Sequence, residues 1–151
     1  MNLKFSILIS SASLLVACNS EPKEPETVNV TPSMLSSTNC YSYTSNRDTV
    51  LLKTTTVNDT ITGTLSYNYY QKDKNNGKIE GIMKGELLIA NYLFMSEGVQ
   101  SIRQIAFKKM GNNLIEGYGE AEDKNGKSVF KNTDSLNFNQ SFILNRVDCE
   151  K

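Results

Sequence analysis

From residue 40 to residue 149 the chain contains no proline, and β-branched and aromatic residues alternate with polar ones in short runs. A period of two sends successive side chains to opposite faces, as in a strand with one buried face and one wet face. Turn signals interrupt the pattern, among them Ser45-Asn46-Arg47-Asp48, Lys74-Asn75-Asn76-Gly77, Ser96-Glu97-Gly98 and Asp123-Lys124-Asn125-Gly126. The strand-like runs are 49–56, 60–70, 78–83, 86–95, 101–109, 114–122, 128–131 and 136–147. No window repeats every 3.6 residues, so helices are not expected. An open sheet of this size leaves two edges able to pair with other chains, and closure removes them.

The expected fold is therefore all-β: a small antiparallel meander closed into a lipocalin-like barrel of about eight strands. Such a barrel is either filled by its own side chains or holds one small ligand. In a closed meander the first and last strands are neighbours. Cys40 and Cys149 sit at the first and last strand-like positions, so a disulfide between them is expected, with two free buried thiols as the other reading.

The segment before residue 40 has a different texture. All three prolines (Pro22, Pro25, Pro32) lie in 19–39, among Ser, Thr and Glu, without apolar periodicity. That composition describes a flexible tether. Ahead of it, Lys4 is the only charge in 1–18, and the apolar run 5–17 covers roughly 20 Å as a helix, short of a bilayer core of about 30 Å. A positive start, a short apolar stretch and a small residue before a cut make a secretory signal. Leu15-Val16-Ala17-Cys18 resembles the lipobox of bacterial lipoproteins. The resemblance implies that 1–17 are removed and that Cys18 becomes the lipidated first residue. Acyl burial of about 0.8 kcal/mol per CH2 then anchors the chain to a membrane. Asn19, in place of an inner-membrane retention Asp, favours the outer membrane, on its periplasmic or surface face. The organisation expected is thus 1–17 signal peptide, 18–39 lipidated Cys and tether, and 40–151 barrel domain.

Charge and composition exclude several functions. Sixteen basic residues balance sixteen acidic ones, against the basic surplus of a nucleic-acid binder. No histidine is present, which removes Ser-His-Asp and Cys-His catalysis and HExxH zinc sites. No GxSxG, P-loop or EF-hand loop occurs, so neither an enzyme nor a cofactor is expected.

The remaining candidates concern binding. Arg103 shares a face with Ile105 and Phe107. If that face is internal, its guanidinium needs an acceptor: Glu97 in the preceding turn, or an anionic ligand head group. The other arrangement puts Ile102 and Ala106 inside and Arg103 in solvent. Tyr67, Tyr69, Tyr92 and Tyr118 have apolar bodies and polar tips, suited to a cavity wall or to plain core. These residues make up the candidate site for a small hydrophobic or amphipathic ligand. Glu116, Glu120 and Glu122 alternate along the run 114–122 and are expected on its outer, wet face. Asp48-Thr49-Val50, Asp59-Thr60-Ile61 and Asp134-Ser135-Leu136 resemble an O-glycosylation pattern of the Bacteroidota, though an Asp turn feeding a strand makes the same tripeptide. Cys40-Tyr41-x-Tyr43 followed by Asp48-Thr49-Val50, and the stretch from Gly81 to Gly98, resemble small uncharacterised lipoproteins of the same group, a resemblance that implies an envelope location and no reaction. The alternative to a ligand-binding barrel is a protein-interaction or inhibitor module of the cell envelope.

Overall fold

The computed structural model describes residues 36–72, 74–139 and 142–149. Cys18 and the segments assigned to signal peptide and most of the tether lie outside them. The described chain forms ten strands: β1 (Ser36–Ser45), β2 (Asp48–Val57), β3 (Thr60–Asn68), β4 (Asn75–Lys84), β5 (Leu87–Ser96), β6 (Val99–Met110), β7 (Asn113–Gly117), β8 (Ala121–Lys124), β9 (Lys127–Phe130) and β10 (Ile143–Val147). Strands β1 to β7 pair consecutively and antiparallel, and β10 fits between β7 and β1. The eight strands close into the barrel that the alternation predicted. The domain also takes in Ser36–Asn39, which the sequence had assigned to the tether, because they pair with Val57–Thr54 of β2.

Residues with positive φ make the tight turns. Glu97 (φ 50°) and Gly98 (φ 79°) join β5 to β6, and Asn125 (φ 57°) and Gly126 (φ 76°) join β8 to β9. Two successive left-handed residues match the twist of the flanking strands. Gly63, Gly77 and Gly81 have another task. A Cβ on any of them would run into the backbone of the next strand: Lys53 for Gly63, Leu93 for Gly77, Ile89 for Gly81. These close approaches let the sheet coil tightly enough to close.

The meander departs from expectation after Gly117. The run 114–122 is not one strand. The chain leaves the wall at Tyr118 and makes the β8–β9 hairpin, and β9 lies parallel to β6 at Ile102 and Arg103. A 3-10 turn (Thr133–Ser135) then brings the chain back across the outside of the barrel. Tyr118 and Asn137 exchange backbone hydrogen bonds of 3.0 and 2.8 Å, and the Phe138 ring lies against Gly117. The expected strand 136–147 is correspondingly short, with only Ile143–Val147 in β10.

Inside, the two ends of the barrel differ. Near the turns Asn58-Asp59 and Gly111-Asn112 the interior is apolar, filled by Ile61, Leu88, Phe107, Leu114 and Leu144. Toward the turns Asn46-Arg47 and Glu97-Gly98 it becomes aromatic and polar, with Tyr43, Tyr67, Tyr69, Tyr92, Phe94 and Phe142. Ser36 starts β1 at the apolar end, opposite this aromatic mouth. Cys40 and Cys149 form the expected disulfide, with Cα atoms 5.2 Å apart.

Candidate functional site

Register places the site. On β3, Leu65 and Tyr67 point inward with Leu52 and Val50 of β2 opposite them. On β5 and β6, Tyr92 stands directly across from Arg103. On β7, Leu114 and Glu116 point inward. Three inward sets therefore converge on one end of the interior: tyrosines from β3 and β5, a guanidinium from β6 and a carboxylate from β7.

Glu116 is the correction that matters most. It was expected on the wet face, yet it is only 3% exposed. Tyr67 donates its hydroxyl to Glu116 Oε1 at 2.6 Å and Tyr118 donates to Oε2 at 3.0 Å. Both carboxylate oxygens are thus satisfied inside the barrel, as a buried acid requires. The expected order fails because both faces of β7 are covered: the returning segment packs Phe138 over Gly117, so Ile115 and Gly117 are buried from outside. Glu120 and Glu122 do lie outside and pair with Lys131 and Lys124.

Arg103 takes the internal position. Its Cζ lies 5.1 Å from the Tyr67 ring centroid and 5.6 Å from those of Tyr92 and Phe94. Guanidinium over ring faces at this range is attractive, more so away from water. Tyr92 and Phe94 stack with centroids 4.7 Å apart, and Tyr67 meets Tyr92 edge-on at 5.9 Å. The expected Glu97 partner is absent: Glu97 is exposed in the β5–β6 turn, and the ion pairs among the described residues do not include Arg103. Arg103 Nε is buried without an acceptor, and Asn75 Oδ1 at the same end is buried without a donor.

Of the candidate residues, Arg103, Tyr67, Tyr92 and Tyr118 come together, with Tyr69 beside them at 5.9 Å from Tyr67, and Glu97 does not join them. Sequence reasoning missed Glu116 and Asn75. The alternation Leu114-x-Glu116-x-Tyr118 in phase with apolar Leu114 was the available signal for Glu116. A hollow of about 150 Å3 opens where β6 and β7 part, bounded by Arg103, Ile105, Glu116, Tyr118, Ser128 and Phe130.

Burial governs the proton equilibria here. It raises Tyr67 well above its ordinary value, with the Glu116 charge and hydrogen bond adding to it. Burial likewise pushes Tyr69 and Tyr92 up to about 12 and raises Tyr118. All four phenols therefore keep their protons at neutral pH; Tyr67 and Tyr118 donate theirs to Glu116, and Tyr92 donates to the Leu65 carbonyl. Burial also raises Glu116 above 4.5, opposed by the hydrogen bonds from Tyr67 and Tyr118 and by the Arg103 charge.

A carboxyl that holds its proton more tightly in the folded state than in the unfolded one costs stability as it ionises. That stability is fully present below the unfolded value near 4.5 and is lost as pH rises through the folded value. Glu116→Gln removes the titration. Urea unfolding at a series of pH values should show the variant gaining on wild type as pH rises above 4.5. A gap that stays constant or shrinks would contradict this account.

No family model, curated protein or solved structure matches this chain.

Proposed function

We propose that this chain is a bacterial envelope lipoprotein, held on a membrane through acylated Cys18, whose barrel takes a small hydrophobic or amphipathic molecule at its aromatic mouth. The observation that carries the binding half is Arg103. A charge enclosed by three ring faces, with a buried Nε–H lacking an acceptor, is costly unless something completes it. Asn75 Oδ1 repeats the same deficit at the same end. The anchor half rests on Leu15-Val16-Ala17-Cys18.

The test is native mass spectrometry of the full protein purified from its own envelope in mild detergent. The expected spectrum shows acyl chains on a polypeptide beginning at Cys18 and a further non-covalent mass, which disappears in Arg103→Ala. A spectrum with no retained small molecule sinks the binding reading. A mature chain that keeps Met1 sinks the anchor.

A second reading, an interaction or inhibitor module of the envelope, is favoured by one observation. A hollow of about 690 Å3 lies against the outer wall around Ser42, Leu51, Lys53, Ser66 and Val147, with Leu51 52% exposed.

A further inference from the structure

Resting on the mouth reading above, we infer that the bound molecule is a small oxyanion, a carboxylate carried on an apolar body of about benzene size, with its oxygens on Arg103. Charge type, position and size each follow from the site.

Glu116, Glu97, water and a ligand are the sources of an acceptor for Arg103 Nε. Glu116 is the nearest inward carboxylate, but its oxygens already accept from Tyr67 and Tyr118, and it forms no ion pair with the guanidinium. Glu97 faces solvent in its turn. Water or a ligand oxygen is the acceptor left, and a ligand oxyanion that displaces the water adds charge to the hydrogen bond. The guanidinium fork suits a planar carboxylate, which accepts two parallel hydrogen bonds.

A cluster of tyrosines beside a buried acid also resembles a cage for a cationic ligand. Here the cage is already occupied. The faces of Tyr67, Tyr92 and Phe94 are turned to Arg103 itself, so a ligand ammonium would meet a resident cation. Glu116 opposes an incoming anion, and the Tyr67 and Tyr118 hydroxyls that donate to its two oxygens lessen that opposition.

Size comes from the hollow beside Arg103. About 150 Å3 accommodates a benzene-sized body and falls short of the volume that encloses a long acyl chain. Ile105 and Phe130 give it apolar walls.

Three probes of one shape separate the charge classes: benzoate, benzyl alcohol and benzylamine. Each is titrated calorimetrically into the full lipidated chain in nanodiscs, with empty nanodiscs as the blank. Benzoate should bind about tenfold or more tighter than the other two, the scale of a charge-assisted hydrogen bond. In Arg103→Gln the three affinities should fall within about threefold of one another. The wild-type ratio decides even if that variant misfolds. Equal binding of the three, or a preference for benzylamine, overturns the oxyanion while leaving a ligand at the mouth. Binding of none overturns this inference alone, because the mouth reading stands or falls on the retained mass.

Discussion

Replacing both Cys40 and Cys149 by alanine should lower the unfolding free energy by about 4 kcal/mol and the melting temperature by roughly 10–20 °C. The bridge joins residues 109 apart in sequence, so it removes a large share of the unfolded chain's freedom. It also sits where the barrel is most thinly closed. β10 meets β1 through three register pairs, Cys40–Val147, Tyr41–Arg146 and Ser42–Asn145, and meets β7 through two. Without the bridge, fraying of β10 would expose Leu144, which is fully buried. Thermal melts of the double variant against wild type, followed by circular dichroism, give the answer. A loss under about 1 kcal/mol would mean that strand pairing alone holds the closure, and the argument would fail.

The second large effect belongs to Gly63. A methyl there has no room, because the Lys53 carbonyl and the Thr54 Cα of β2 occupy its place. Those are backbone atoms, so relief requires the two strands to separate rather than a side chain to turn. Gly63→Ala should cost about 3 kcal/mol, the upper part of the usual range for overpacking. Denaturant unfolding measures it. A cost below about 0.5 kcal/mol would show that the tight coil of β2 against β3 is dispensable.

How much of this could be read in advance depended on how many faces of a strand are covered. Where one face is wet, as on β3, the alternation Ile61-x-Gly63-x-Leu65-x-Tyr67 assigns the interior correctly. On β7 both faces are buried, and period two cannot say which is the inside. Ile115 and Gly117 have the character of an inward set, and the chain returning at Phe138 satisfies them from outside. Glu116 was therefore misplaced. The β8–β9 excursion was illegible for a related reason. The run 114–122 keeps its strand character across Gly119, and nothing local reports that the wall ends at Gly117. The disulfide, by contrast, followed from closure alone. Arg103 stayed open in the sequence because its partners are three ring faces, two on the neighbouring strand β5 and one on β3, and no carboxylate beside it in the chain marks its face as internal.

The Cys40–Cys149 bond makes the polypeptide between its ends a covalent ring. The hairpin tips of that ring, Asn46-Arg47, Asn58-Asp59 and Glu97-Gly98, are exposed and open to a protease. One nick at such a tip opens the macrocycle into two polypeptides joined through the disulfide and releases no fragment, while the remaining pairings keep the nicked strands side by side. Shedding a piece of this domain takes a second cut or a reductant.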